Sequence, residues 1–143
     1  MSSVQSIMTP NPVCCTTATS LQEVAKLMLD NDCGQIPVVA GNGSNKPIGV
    51  VTDRDIVIRL VAQGTDPTQA QAGDAMSTPC VTVSCETSLR ECCDIMESNQ
   101  IRRVPVVDAD GELCGIVALA DIALSGQDAR TVEVVKEVST TAH

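Results

Sequence analysis

The chain has 143 residues, 43% of them apolar and none of them Phe, Tyr or Trp, and it carries a net charge of −9 with a pI of about 4.3. Such a length fits one ordinary domain or two very small ones, with a core of aliphatic, thioether and thiol side chains. The acidity argues against a nucleic-acid partner, because duplex binding needs a basic face and single-strand binding typically uses aromatic rings.

No segment is typical of a membrane span or an export signal. The opening MSSVQSIMTP lacks a basic region followed by an apolar stretch, so we expect no signal peptide. No apolar run approaches the roughly 18–20 residues that cross a bilayer. We therefore expect a cytoplasmic protein without a membrane partner.

The sequence contains an internal repeat. Shifted by 68 positions, residues 8–39 align with residues 76–107. After a loop that is two residues shorter in the second copy, GVVTDRDI (49–56) aligns with GIVALADI (115–122). Such self-similarity predicts two structural units of the same kind.

The first copy predicts the order strand, helix, strand, strand, helix. SLQE has the pattern of a capping box and begins a helix at about 21–31. QIPVVA (35–40) and PIGVVT (47–52) predict two strands joined by the turn-forming GNGSNK. A second helix follows at about 53–63.

The second copy repeats this order. SLRE begins a helix at about 89–99, RVPVVD and ELCGIVA predict strands, and a short helix follows at about 119–125. We expect one unit at 4–64, a polar linker at 65–75, a second unit at 76–125, and a C-terminal helix and tail at 126–143. Because units this small bury little surface alone, we expect them to pack face to face with pseudo-twofold symmetry, which leaves clefts between them.

The motifs of the two copies resemble those of a known family. Each copy opens with IMTPNP or AMSTPC, continues with QIPVV or RVPVV, and closes with GVVTDRD or GIVALAD. Over about residues 4–125 the chain resembles a CBS-domain pair, or Bateman module, and its plan is similar to small stand-alone bacterial CBS proteins, including hypoxia-response types.

The resemblance implies a fold, an assembly and a function. The fold is α/β (α+β), two βαββα units, and the pair forms a homodimer. The function is non-enzymatic signal transduction: an adenosine-containing ligand, AMP, ADP, ATP, NAD or S-adenosylmethionine, binds in a cleft between the repeats. No cofactor is required beyond this regulatory adenine nucleotide, and we expect the signal to pass to a separate effector protein.

GVVTDRD matches the ligand motif of the family, which implies that Gly49, Thr52 and Asp55 contact the ligand. A carboxylate can accept hydrogen bonds from both hydroxyls of a ribose, and a helix N-terminus favours phosphate. Gly49 would let the backbone approach a ligand closely. The competing interpretation is a capping box between Thr52 and Asp55, which stabilises a helix without any ligand.

The second copy departs from this motif. It keeps Asp121 but has Ala118 in place of the hydroxyl residue. Loss of one hydrogen bond, worth about 0.5–1.5 kcal/mol, predicts a second site that is weaker or empty.

Positive charge for a phosphate is scarce in this chain. The resemblance implies Arg102 or Arg103, and an arginine fork suits phosphate. Since neighbouring strand residues face opposite ways, at most one of the two would point into a cleft. The alternative is a solvent-facing pair that balances nearby acids, and weaker candidates for ligand contact are Arg54 and Gln35.

The chain has eight cysteines, but no Cys-x-x-Cys and no zinc-like spacing, so we expect no metal. Five of the eight align with a small or aliphatic residue of the other copy, which predicts structural thiols: Cys15, Cys33, Cys92, Cys93 and Cys114. An exposed Cys80 or Cys85 is the candidate for a redox or metal role.

The sequence contains no recognisable set of catalytic residues. The only histidine is His143 at the end of the chain, so no base accompanies a cysteine nucleophile. We expect no catalytic residues. The alternative to a sensor is a degenerate CBS pair, a ligand-free dimeric scaffold that binds a protein partner.

Overall fold

The computed structural model describes residues 3–125, and the predicted C-terminal helix and tail at 126–143 lie outside them. Contacts divide the described chain into a first unit, residues 13–80, and a second unit, residues 3–12 together with 81–125. The helices and strands in chain order are β1 (Thr9–Pro10), α1 (Leu21–Asn31), β2 (Gln35–Gly41), β3 (Ser44–Thr52), α2 (Asp53–Arg59), α3 (Ala72–Ala75), β4 (Val83–Ser84), α4 (Leu89–Asn99), β5 (Arg103–Val107), β6 (Leu113–Ala118) and α5 (Leu119–Leu124).

The first long helix of each repeat has the predicted bounds. The Ser20 and Ser88 hydroxyls each accept a hydrogen bond, at 3.1 Å, from the amide three residues on, as an N-cap does. Each helix ends at a residue in the left-handed region, Asp32 with φ of 49° and Gln100 with φ of 54°. Local sequence signals therefore determine where these helices begin and end.

Two predicted bounds are wrong. β3 begins at Ser44, earlier than predicted, because Asn42 and Gly43 have positive φ and form a tight two-residue turn. The helix predicted to run to about 63 ends at Arg59, and a 3-10 turn, Val61–Gln63, follows it. At the break Leu60, with φ of −117° and ψ of −64°, is the C-cap of α2, and its side chain is buried.

Each unit contains an antiparallel hairpin, and the second unit has a further antiparallel pair, β1 with β6. In the first unit β2 pairs with β3. In the second unit the sheet order is β1-β6-β5-β4, where β5 and β6 are antiparallel and β4 runs parallel to β5. Cys15 of the first unit makes a single parallel bridge to Val38, at the position that β4 occupies in the second unit.

The opening segment of each repeat packs in the unit formed mainly by the other repeat. Thr9 pairs with Ile116 in the second unit, and Ser77, at the equivalent position, pairs with Val50 in the first. Residues 65–75, predicted as a linker, lie within the first unit, where the Leu21 amide donates to the Ala70 carbonyl at 3.0 Å. The contact-based units and the sequence repeats therefore differ in their bounds.

Each unit has its own aliphatic, thioether and thiol core. Ile36, Val38 and Val51 are fully buried in the first unit, and Met96, Val104 and Ile122 are fully buried in the second. Within residues 3–125, no helix combines the length and apolar character needed to cross a bilayer.

Candidate functional site

The junction between β3 and α2 carries the first set of predicted ligand residues. The Asp55 amide donates to Thr52 Oγ1 at 3.0 Å, and the Thr52 amide donates to Asp55 Oδ2 at 3.0 Å. These two bonds are a complete capping box. The capping interpretation of this motif is confirmed.

The second oxygen of Asp55 is also engaged. Ser77 Oγ donates to Asp55 Oδ1 at 3.1 Å, and Arg59 Nε lies 3.7 Å from the same oxygen. Arg59 additionally donates to the Met76 carbonyl and to Ser77 Oγ, at 3.0 and 3.1 Å. Asp55 is only 9% exposed, so this carboxylate joins α2 to the opening segment of the second repeat.

Sequence reasoning missed Arg59 and Ser77 as partners of Asp55. Arg59 lies four residues after Asp55 on one helix face, a spacing that by itself predicts an ion pair. Ser77 is distant in sequence, and no local pattern connects it to Asp55.

Position 49 requires a glycine because another segment of the protein's own chain approaches it closely. A Cβ added at this position would lie 2.7 Å from the Ser77 carbonyl oxygen. That segment is fixed by two backbone hydrogen bonds between Ser77 and Val50, at 2.8 and 3.1 Å. The glycine therefore has a structural reason that needs no ligand.

In the described part of the chain, the equivalent junction of the second unit, between β6 and α5, lacks the side-chain contacts found at the first. Ala118 is the N-cap of α5 and has no side chain to form a capping box. Asp121 is half-buried, and among residues 3–125 its carboxylate makes no hydrogen bond or ion pair. The contacts of Asp55 have no equivalent here because the residues that make them are replaced. Ala118 takes the place of Thr52, and Ser125 and Thr9 take the places of Arg59 and Ser77.

The predicted arginines lie at this second junction. Arg103 is half-buried and pairs across the sheet with Ala118, and the Leu119 amide donates to the Arg102 carbonyl at 2.7 Å. In the first unit Gln35 holds the place of Arg103, opposite Thr52, and Arg54 is exposed. The predicted residues thus form one group in each unit: Gln35, Gly49, Thr52, Arg54 and Asp55, and Arg102, Arg103, Ala118 and Asp121.

Three of the eight cysteines are buried, as structural thiols are. Cys15, Cys92 and Cys93 are buried, and burial raises the pKa of Cys15 to about 11 and of Cys92 to about 12. Cys80, expected to be exposed, is half-buried, and burial raises its pKa to about 11. Since the thiolate is the nucleophile, these thiols are weakly reactive at neutral pH.

Cys33 and Cys114, predicted as structural thiols, are half-buried, as is Cys85. Within the described range, 3–125, no three His, Cys, Asp or Glu side chains are grouped in a way that could hold a metal ion.

Comparison with known proteins identifies relatives of similar length. The chain is 42% identical over 125 residues to the CBS domain-containing protein YhcV of Bacillus subtilis, covering 87% of this chain and 86% of the relative. It is 34% identical over 138 residues to Hypoxic response protein 1 of Mycobacterium tuberculosis, covering 96% and 94%. It also matches an uncharacterized protein of Methanopyrus kandleri at 40% identity, spanning half of that protein's length and 70% of this chain.

Three solved structures have folds similar to that of this chain. A crystal structure of Hypoxic Response Protein I with two coordinated zinc ions has a TM-score of 0.77 at 35% identity, covering 86% of this chain and 98% of that one. CBSX2 in complex with AMP has a TM-score of 0.74 at 26% identity, with 88% and 96% covered. The CBS pair of protein MJ0100, with 5-methylthioadenosine and S-adenosyl-L-methionine, has a TM-score of 0.76 at 25% identity, with 88% and 97% covered.

The profile of the CBS domain matches this chain twice, at residues 4–62 and 72–126. These matches cover most of the sequence and coincide with its internal repeat. The chain therefore belongs to the CBS-domain family, as a tandem pair of the kind that serves as a regulatory module.

Proposed function

We propose that this CBS pair is a non-enzymatic sensor of an adenosine-containing ligand: AMP, ADP, ATP, NAD or S-adenosylmethionine. The similar structures that contain AMP or S-adenosylmethionine support this ligand class. The observation that carries the proposal is the second junction, where the carboxylate of Asp121 has no partner among residues 3–125 and Arg103 lies opposite Ala118.

The chemistry of this junction suits a nucleotide. An ionised carboxylate accepts two hydrogen bonds, as a ribose diol donates. The Arg103 guanidinium, with Arg102 next to it, offers parallel donors to a phosphate. In this proposal Asp121 binds the ribose, and one of the two arginines binds the phosphate or another acidic group of the ligand.

The proposal reverses the ranking of the two sites that the sequence predicts. Ala118 removes one ligand hydrogen bond, but it also removes the capping box that would occupy the carboxylate of Asp121. At the first junction a ribose would have to compete with Ser77 and Arg59 for the oxygens of Asp55. We therefore propose that the second junction is the tighter site.

Regulation would follow from population shift. A ligand that binds one conformation of the module more tightly increases the population of that conformation, by no more than its differential affinity. A separate effector protein would respond to the favoured conformation.

Replacement of Asp121 by alanine is expected to weaken ligand binding at least tenfold. Loss of charge-assisted hydrogen bonds worth roughly 1.5–3 kcal/mol gives a change of this size. Isothermal titration calorimetry with AMP, ATP, NAD and S-adenosylmethionine measures it. Because the chain has no Tyr or Trp, a 260 nm band in purified protein freed of nucleic acid also reports a co-purified ligand.

Asp30→Ala is the matched control, since it removes the same charge from the exposed end of α1, distant in sequence from either junction. The control should bind as the wild type does, and Arg103→Ala should selectively weaken the phosphate-bearing ligands. Unchanged affinity in Asp121→Ala would remove Asp121 from the site.

The engagement of Asp55 favours a second candidate, a dimeric scaffold that binds a protein partner and no nucleotide. The carboxylate of Asp55, which would otherwise be available to a ribose, already accepts hydrogen bonds from the protein's own chain. If none of the four ligands binds at millimolar concentration, this candidate replaces the sensor.

A further inference from the structure

Two thiols of the second unit lie in direct contact. Cys85 Sγ is 3.3 Å from Cys114 Sγ, and the Cys85 thiol also lies 3.6 Å from the Val107 carbonyl oxygen. Cys85 follows β4, and Cys114 is in β6, on the other side of β5. The contact therefore joins parts of the chain that are about 30 residues apart.

A β-bulge brings the two thiols together. Val106 pairs with Gly115, whereas Val107 pairs with Leu113, so Cys114 is the extra residue on β6. On the other side of Val107, the Cys85 amide donates to the Val107 carbonyl at 3.2 Å. Both cysteines are thus fixed by backbone hydrogen bonds and strand register around Val107.

The first unit has the same bulge without thiols. Val38 pairs with Gly49 and Val39 with Pro47, which leaves Ile48 at the position of Cys114. Thr17 holds the position of Cys85. The backbone therefore forms this bulge without cysteine, and the thiol pair is a chemical feature added to it.

We propose that Cys85 and Cys114 are a reversible dithiol–disulfide modification site whose oxidant is a low-molecular-weight disulfide. One cysteine thiolate attacks a sulfur of the reagent, breaks its S–S bond and releases one reagent thiolate. The second cysteine thiolate then attacks the mixed disulfide, forms the Sγ–Sγ bond and releases the other reagent thiolate. The protein loses two electrons and two protons, and the reagent is reduced to two thiols.

An attack that begins from Cys114 is slow at neutral pH. Burial, with a contribution from the neighbouring Cys85 thiol, raises the pKa of Cys114 to about 11. The thiolate fraction of Cys114 therefore increases with pH, and the test is run at mildly alkaline pH over hours. The second attack is intramolecular between sulfurs already in contact, so the mixed disulfide should resolve quickly.

The disulfide would connect the end of β4 to β6 across β5. It closes a loop of about 30 residues, which restricts the unfolded chain and stabilises the second unit. The expected effect is an increase in the melting temperature of roughly 5–10 °C for a chain of this size.

The test incubates the native protein with oxidised glutathione and maps the products by mass spectrometry after alkylation and trypsin digestion. The expected product is a disulfide between peptide 60–90 and peptide 104–130, with two protein thiols lost per chain and restored by dithiothreitol. Peptide 104–130 contains one cysteine, Cys114, but peptide 60–90 contains Cys80 and Cys85. In Cys80→Ser the cross-link should persist, which assigns it to Cys85.

Cys114→Ser should instead retain a glutathione adduct on Cys85 and show no increase in melting temperature on oxidation. Absence of the 60–90 to 104–130 cross-link in the oxidised wild-type protein, or its loss in Cys80→Ser, would overturn the proposal. The first of these measurements uses the wild-type chain, so it does not depend on the folding of a variant, and neither measurement needs a nucleotide.

Discussion

Replacing Asp55 by alanine is expected to lower the free energy of unfolding by about 2–4 kcal/mol. The change removes the capping box of α2, the acceptor of the Ser77 hydroxyl and the partner of Arg59. It leaves the Thr52 amide without its acceptor at a part-buried position. Urea unfolding followed by far-UV circular dichroism measures the effect, since a chain without aromatic side chains gives no useful intrinsic fluorescence.

Asp121→Ala is the matched control for this prediction, because Asp121 holds the same position in the second repeat. Within the described range it lacks the side-chain partners of Asp55, so its replacement should cost less than about 1 kcal/mol, the usual value for an acid in the first turn of a helix. Equal losses of stability in the two variants would show that the capping box and the Ser77 and Arg59 contacts contribute nothing.

Gly49→Ala is expected to destabilise the first unit by about 2–4 kcal/mol. The new Cβ would lie 2.7 Å from the Ser77 carbonyl oxygen, which is closer than real Cβ contacts. To move away, the backbone would have to disturb the two hydrogen bonds between Val50 and Ser77. The midpoint of urea unfolding should fall accordingly.

Gly34→Ala provides the comparison, since a Cβ at that position meets the exposed Asp53 side chain, at 3.0 Å, and not backbone. That carboxylate can rotate away, so we expect a change within about 1 kcal/mol. A Gly49→Ala protein as stable as the wild type would mean that the 76–79 segment is not held against β3 in solution.

We expect the equivalent aspartates of the two repeats to affect different properties, one the stability and the other the ligand affinity. Asp55→Ala should mainly affect unfolding, and Asp121→Ala should mainly affect nucleotide binding, although the two residues hold equivalent positions. The physical reason is that a carboxylate with its acceptor sites satisfied by its own chain gains little from a new partner. A carboxylate without a partner among residues 3–125, as in Asp121, would gain the full charge-assisted bond.

Much of the fold could be predicted because its signals are local. Ser20 and Ser88 predict the first residues of α1 and α4, and the Pro-Val-Val segments predict the strands that follow. The repeat and the family resemblance predicted the tandem CBS architecture, which the family match confirms. The end of α2 was predicted less well, because the burial of Leu60 depends on distant residues.

The candidate site was only partly accessible from sequence. The GVVTDRD motif is consistent with a helix cap and with a ligand site, because both use the side chains of Thr52 and Asp55. Ser77 decides what Asp55 touches, and it is 22 positions away along the chain. The contact between Cys85 and Cys114 depends on a bulge that no local pattern of residues indicated.

The amino-acid sequence alone predicts the repeated order of elements, the first helix of each repeat, a core without aromatic side chains, and the family. Periodicity, capping residues and turn residues act over a few positions, so they can be read directly. Three features depend on tertiary contacts: each opening segment packs in the other repeat's unit, Asp55 is engaged while Asp121 has no partner among residues 3–125, and two thiols touch. These outcomes depend on strand register and on contacts between residues that are far apart along the chain.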